Sequence, residues 1–430
     1  MDALYIYNLY PRLYKNVKAW EKALPKIAKM GFNGIYLNPI HYPGFSGSLY
    51  APKEYYTLNP LFFSKKGSEV EELKGFIAAS NEKGIKVYLD LVVNHTSIDS
   101  PLIAEHKNWY VLENGDVKRP GAWEDGKYIQ WGDLAQFDLE LSSDRDGLWN
   151  YLLDMCNYFL DLGFSGFRCD AAYQVPEDFW RFLTGNVKKK FPEALFMAET
   201  LGCTPVQIQL LSNAGFDYIF NSSKWWDFNG AWCLEQYEMT KNIAPSISFP
   251  EGHDTERLFA ESNSYLPKFL QRVYFSALFS KGFMITTGLE YGFKKRINTV
   301  NTNPDDWENT DNDFTPVIQK ILDIKKALLP LHEESPIKII DQANWMNVFC
   351  FYKEWEGQKV MVILNKDAYN KQSIVLGNIE NILGASDITD FSPEEKIKGT
   401  ITNLNILLNP GEVKIFASKA IYKTATSTVK

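Results

Sequence analysis

The stretch "LGFSGFRCDAAYQVP", Leu162 to Pro176, decides how the rest of the chain is read. It opens on the glycine stop of an amphipathic run and continues as a short apolar strand, Gly166–Asp170. In a strand, residues i and i+2 face one way. Arg168 and Asp170 therefore share a face, while Phe167 and Cys169 share the other and suit a packed layer. A charged pair pointing into a core is costly unless it is paired or used. Arg168 should favour the ionised form of Asp170, and an ionised carboxylate at the mouth of a cleft is a candidate nucleophile.

Similar short runs recur on both sides of this strand. Leu4–Asn8, Gly34–Leu37, Ile85–Val92, Leu195–Glu199, Asp217–Phe220, Ile247–Phe249 and Phe283–Thr287 read as strands. Helical patterns lie between them. "VKAWEKALPKIAKMG" puts Trp20, Leu24, Ile27 and Met30 on one stripe before a glycine stop. "GSEVEELKGFIAASNEKG" starts at Ser68 as an expected N-cap and stops at Gly84. Parallel neighbours need crossover helices, and eight alternations are the number that closes a (β/α)8 barrel. The competing open, doubly wound sheet would carry a glycine-rich phosphate turn after an early strand, and the sequence has none.

The alternation breaks twice. Residues 97–141 are polar, aromatic and irregular, and read as an inserted loop domain after strand 3. From about Pro336 the runs change to period two ("NVFCFYKEW", "KVMVILNK", "VKIFAS"), the mark of a small antiparallel β-domain. The expected division is a barrel over 1–96 and 142–332, the insert over 97–141, a C-terminal β-domain over 336–420 and a tail over 421–430.

The 430 residues carry a net charge of -8, which opposes binding to nucleic acid. Five scattered cysteines show no metal or disulfide spacing and fit a reducing compartment. The N-terminal "MDALYIYNLYPRLY" lacks the basic-then-apolar design of a signal peptide, and no apolar run is long enough to span a bilayer. A cytoplasmic protein without membrane or nucleic-acid partners is expected; the sequence does not address its oligomeric state.

Four strand ends bring polar residues to one rim: Asn94-His95, Arg168-Asp170, Glu199 and His253-Asp254. Carboxylates around a cleft without a cofactor motif suggest glycoside chemistry, in which one attacks the anomeric carbon and a protonated second assists the leaving oxygen.

In these residues the chain resembles the α-amylase family (glycoside hydrolase family 13-like) of retaining α-glucan-active enzymes. The motifs appear in order as "DLVVNH" (Asp90–His95), "GFRCD" (Gly166–Asp170), "AET" (Ala198–Thr200) and "GHD" (Gly252–Asp254), with a fifth match in "YAPKEYYTLNP" from Tyr50. The resemblance implies Asp170 as nucleophile, Glu199 as general acid/base and Asp254 as the carboxylate that stabilises the distorted sugar. It implies sugar contacts from His95 and His253, Arg168 as the counterion of Asp170, and Tyr50 as a stacking platform. Glu199 must begin protonated and Asp170 ionised, so neighbouring carboxylates should raise the pKa of Glu199 while Arg168 lowers that of Asp170. Tyr173 and, in the tryptophan-rich segment after strand 6, Trp226 are expected to reach the substrate.

The sequence departs from the family pattern in three places. Tyr173-Gln174 stand where the family often has Lys-His, and Gly252 stands where it often has Asn. In "LAQFD" (Leu134–Asp138), Gln136 replaces a carboxylate that often binds calcium. Asn94 remains as a ligand for a weak site, so no obligatory cofactor is expected. The first functional expectation is a retaining hydrolase of α-1,4-linked glucans. The alternative is a transglycosylase or maltosyltransferase on the same scaffold, and the third is a non-catalytic carbohydrate-binding or accessory protein.

Overall fold

The structure, a computed structural model, describes residues 3–124, 127–226, 232–398 and 401–418. Eight parallel strands close a barrel: β1 Tyr5–Leu9, β2 Gly34–Leu37, β3 Lys86–Leu91, β4 Gly166–Cys169, β5 Leu195–Glu199, β6 Tyr218–Phe220, β7 Ser246–Ser248 and β8 Gly282–Thr286. Each pairs with its neighbours in sequence, and β1 closes on β8. The period-two pattern sorts the side chains. Outward-facing Phe167 and Cys169 join the large core between strands and helices. Inward-facing Leu4, Ile6, Tyr36, Tyr88, Met197, Phe220 and Met284 fill the barrel itself. The interior is thus packed, and chemistry is confined to the strands' C-terminal ends.

The helices form as their stripes require. In α1 (Val17–Met30), Trp20, Leu24, Ile27 and Met30 are buried, and the Asn16 side chain accepts from the Ala19 N–H. In α2 (Glu69–Glu82) the expected cap differs: the Ser68 hydroxyl lies within bonding distance of the Lys65 carbonyl and Glu72, and donates its proton there instead of accepting from a helix N–H. A carboxylate one turn on is the stronger acceptor and takes the hydroxyl proton. α3 (Arg145–Asp161) buries Leu148, Leu152, Met155 and Phe159, and α4 (Glu177–Lys190) follows β4.

β4 can begin only at a glycine. Gly166 has φ +139, and a Cβ there would lie 2.0 Å from the Leu195 carbonyl oxygen on β5. Gly166→Ala is expected to cost roughly 3 kcal/mol or more, because it combines backbone strain with a clash against immobile backbone. Urea denaturation measures this loss; a variant as stable as the parent would mean that the start of β4 can move.

Between β3 and α3 the chain makes short hairpins, enclosed by an antiparallel pairing of His95–Ser97 with Leu134–Gln136. After the barrel, Ile337–Ile339, Val348–Trp355, Gln358–Asn365, Val413–Ser418 and Ile388–Asp390 form an antiparallel sheet. A second, two-stranded antiparallel sheet pairs Gln372–Leu376 with Leu404–Leu408, and the two sheets pack around Val348, Met361, Ile363, Leu376 and Phe416. The expected tail, 421–430, lies outside the described residues. No helix among the described residues is long and apolar enough to cross a membrane.

Candidate active site

Register builds the site. Arg168 on β4 lies opposite Asp90 on β3 and Met197 on β5, in one layer of the barrel. Its Nη1 donates to both oxygens of Asp90 (2.8 and 3.0 Å) and to Asp170 Oδ1 (2.8 Å). Its Nη2 reaches Glu199 Oε1 at 2.9 Å. One buried guanidinium therefore gathers three carboxylates, its own strand's and one from each neighbouring strand. A planar fork can do this and a lysine point charge cannot.

Each carboxylate has a distinct setting. Asp90 is fully buried and also accepts from the hydroxyls of Tyr50 (2.6 Å) and Tyr36 (3.2 Å). Asp170 keeps a small exposed edge. Glu199 is bonded at both oxygens, since Oε2 accepts from the Ala171 N–H at 2.7 Å. Ala171 sits at φ 42, ψ 44, a left-handed conformation that non-glycine residues avoid. That local strain aims its N–H at Glu199. Asp254 is half-exposed at the rim, 2.7 Å from His253 Nε2.

The electrostatics bear on the tuning the sequence suggests. Burial pushes the Glu199 pKa up; Arg168 opposes this and Asp254 adds to it, so it stays raised. Asp170 differs from expectation. Burial, only partly countered by Arg168, together with Glu199, Asp90 and Asp254, pushes it well above the usual carboxylate range. Arg168 is shared among three acids, so its charge does not belong to Asp170 alone. The two groups titrate as a pair. Asp254 falls the other way: burial raises it, but His253 and then Arg168 and Arg296 outweigh that and hold it low.

A raised carboxylate pKa makes ionisation destabilising in the folded state, so that contribution to stability is present at low pH and lost as pH rises through the folded-state value. Glu199→Gln mimics the protonated form. It should raise Tm above the parent at about pH 8, with the gain shrinking toward about pH 5. Equal Tm values at both pH values would count against the crowding of charge at Arg168.

The aromatic and imidazole residues converge as well. The Tyr50 and His253 rings stack with centroids 5.3 Å apart and 2° between planes. His253 Nε2 lies 2.6 Å from the Tyr50 hydroxyl and its Nδ1 3.0 Å from the Tyr36 hydroxyl. His95 Nε2 is committed to the Tyr50 carbonyl at 2.9 Å, and burial lowers its pKa to about 4. The neutral ring therefore holds Tyr50 in place rather than presenting a free donor to a sugar. A partly open pocket of about 30 Å³ lined by Tyr36, Arg168, Glu199, His253 and Asp254 lies at the carboxylates and has room for water only.

Two expectations need revision. Trp226 is completely buried, packed against Phe275 and Phe279 with its indole N–H donating to Gln236, and it touches no cleft. Its neighbour Trp225 is the exposed member, lying over Gly202 in the loop after β5. Sequence cannot choose between adjacent tryptophans in a loop that lacks a fixed period. Asn94 is no hub of hard ligands: its amide donates to Gln174 (3.3 Å), and Gln136 supplies another neutral amide. Among the described residues no three His, Cys, Asp or Glu side chains cluster to hold a metal. A calcium ion, which needs six to eight oxygens with carboxylates among them, does not fit this set. Tyr173 is half-buried and lines a groove along with Asn94 and Gln174.

Sequence reasoning left Asp90, Tyr36, Asn38 and Ala171 out of the site. The first three were signalled by alternation, since Asp90 shares a face with Tyr88 and Asn38 with Tyr36. Asn38 donates to the Tyr50 hydroxyl at 2.8 Å. Nothing in the sequence marks the strained Ala171.

The comparisons with known proteins agree with the barrel fold. Residues 1–115 match the family model "Glycogen debranching enzyme, glucanotransferase domain". The chain is 24% identical over 85% of its length to the alpha-1,4-glucan:maltose-1-phosphate maltosyltransferase of Picrophilus torridus, of which it spans 61%. In fold it resembles an alpha-amylase from Lactobacillus plantarum (TM-score 0.77, 21% identity, 96% of this chain and 98% of that one). An alpha-amylase from H. orenii gives TM-score 0.78 at 16% identity, over 97% of this chain and 99% of that one. These matches support the α-amylase-like (β/α)8 barrel fold and a resemblance of the five ordered motifs to the α-amylase (glycoside hydrolase family 13-like) family.

Proposed function

We propose that this chain is a retaining α-glucan-active enzyme that transfers a glucosyl or longer α-1,4-glucan unit to a sugar hydroxyl. The observation that carries the reading is the sharing of Arg168 by Asp170 and Glu199 at the barrel rim. One guanidinium keeps the two carboxyls close, as the about 5–5.5 Å spacing of retaining pairs requires. Asp170 Oδ1 is held by Arg168, so Oδ2 is the oxygen offered to the anomeric carbon. As that bond forms, the glycosidic C–O bond breaks and the proton of Glu199 passes to the leaving oxygen. In the second half, an acceptor hydroxyl returns its proton to Glu199 while its oxygen displaces Asp170. Asp254, held ionised, is placed to bind ring hydroxyls and the positive charge that develops on the sugar. Tyr50, kept in place by His95, Asn38 and His253, offers the stacking face.

Transfer is preferred because the relatives are named maltosyltransferases and the matching family model is a glucanotransferase domain. The chain spans less than two thirds of those maltosyltransferases. Hydrolysis of α-1,4 bonds is the second reading, favoured by the open rim: the Asp254 side chain is 50% exposed, so water has access. Neither reading uses calcium. The five free cysteines, four of them buried, support a cytoplasmic setting.

Product analysis of a single maltooligosaccharide tests the proposal. Products longer than the substrate, with α-anomeric configuration in the first NMR spectra, are expected. Only shorter products would establish the hydrolytic reading, and β-anomeric products would exclude the covalent intermediate.

A further inference from the structure

The turn that carries His253 and Asp254 is closed twice. Its inner closure runs from Gly252 to Thr255: the Gly252 N–H donates to Thr255 Oγ1 at 3.0 Å, and the Thr255 N–H to the Gly252 carbonyl at 3.3 Å. Its outer closure joins Glu251 to Arg257, the residues that flank the turn. Arg257 Nη2 lies 3.2 Å from Glu251 Oε1. Glu251 Oε2 accepts from the Leu258 N–H at 2.6 Å, where the next helix, Leu258–Glu261, begins. Both residues are also tied to the end of β8. Arg257 Nη2 donates to the Thr287 carbonyl at 2.8 Å, and the Thr286 hydroxyl donates to the Glu251 carbonyl at 3.3 Å.

Stability alone explains this pair poorly. Glu251 and Arg257 are both buried. They meet as opposite charges without hydrogen-bond alignment: Glu251 Oε1, Arg257 Nε and Arg257 Nη1 find no hydrogen-bond partner among the described residues. A buried pair this incompletely satisfied gains little over apolar side chains of similar volume. What it does fix is the placement of the turn. On one side His253 is held by the hydroxyls of Tyr36 and Tyr50. On the β8 side the buried ties are those of Glu251 and Arg257. Arg296 also donates to the Asp254 carbonyl, at 3.0 Å, but its own side chain is exposed. The Asp254 carboxylate is half-exposed, and its close contact, His253, belongs to the same turn. Its position over the rim is therefore that of the turn.

We infer that Glu251 and Arg257 are positioning residues: by closing the turn against β8 they hold the Asp254 carboxylate where positive charge develops on the sugar. The inference rests on the proposed function for the role of Asp254. It makes a buried ion pair a determinant of kcat rather than of fold stability.

A double-mutant cycle on fluoride release from an α-glucosyl fluoride tests this. Glu251→Gln should lower kcat by about 10- to 100-fold with KM changed much less, the cost of a small misplacement. In an Asp254→Ala background the same substitution should cost less than about twofold, because no carboxylate remains to be misplaced. Glu251→Gln with Arg257→Met removes both charges and keeps an acceptor for the Leu258 N–H. It should be about as stable as the parent in urea and still show the kcat loss. Hydrogen exchange adds a reading that needs no turnover: amides of residues 252–256 should exchange at least about tenfold faster in both variants, with those of β4 and β5 unchanged. An equal loss of kcat in the two backgrounds, or parental kcat in Glu251→Gln with Arg257→Met, would overturn the inference. A wild type that releases no fluoride and turns over no α-glucan would strike the proposed function instead. Exchange alone would then decide: parental protection of 252–256 in both variants overturns the positioning role, and faster local exchange sustains it.

Discussion

Asp170→Asn is expected to lower kcat on maltooligosaccharides by on the order of 10⁴-fold or more, with little change in fold. The amide keeps the shape and can still accept from Arg168 Nη1, but it cannot supply the electron pair that forms the glycosyl-enzyme bond. Glu199→Gln provides the contrast. A general acid contributes about 10²–10⁴-fold, and mainly where the leaving group needs a proton. An α-glucosyl fluoride leaves unprotonated, so Glu199→Gln should form the intermediate from it at a near-parental rate while remaining slow on glucan. Asp170→Asn should be slow on both. Intact-protein mass spectrometry after mixing with the fluoride reads the difference as one added glycosyl mass in Glu199→Gln and none in Asp170→Asn. If the two variants lose both substrates equally, the roles are not divided as proposed. The parental pH profile should be bell-shaped, with limits belonging to the Asp170–Glu199 pair. Burial raises both groups, so the bell should lie above the range of ordinary exposed carboxylates.

The parts of this site that were legible in the sequence are those written in strand alternation. Arg168, Asp170 and Glu199 could be placed because each closes a short apolar run, and period two then fixes which side chains point inward. The same rule separates outward Cys169 from inward Asp170. Asp90 follows the rule too, but its meaning depends on register: only the pairing of β3 with β4 sets it beside Arg168. Register between strands 78 residues apart leaves no local trace. Arg168 lowers the Asp170 pKa as expected, but burial outweighs it and the neighbouring Glu199, Asp90 and Asp254, delivered by other strands, add to the rise. Loops were least legible. Trp225 and Trp226 are adjacent and chemically alike, and only packing against Phe275 and Phe279 sends one inside. Ala171 is invisible because any residue type can be forced into a strained turn by what surrounds it.

The other large effect is on stability. Arg168→Gln removes the single cation shared by Asp90, Asp170 and Glu199, leaving buried carboxylates uncompensated. Breaking a buried ion pair from one side costs about 3–5 kcal/mol, and three partners put this site at the upper end. The loss should depend on pH with a definite sign. Without Arg168, the carboxylate pKa values rise further in the folded state, so the penalty is largest at high pH and shrinks as protons neutralise the acids. Urea denaturation at about pH 8 and about pH 5 should therefore give a much larger loss at the higher value. Asp90→Asn added to Arg168→Gln should restore part of the stability, because deleting both partners removes the uncompensated charge. Arg168→Lys should recover charge but not geometry: one ammonium cannot span Asp90 and Asp170 on one side and Glu199 on the other. Its stability should fall between the parent and Arg168→Gln, while its kcat stays close to that of Arg168→Gln. Parental kcat in Arg168→Lys would show that charge alone, and not the planar fork, sets the nucleophile in place.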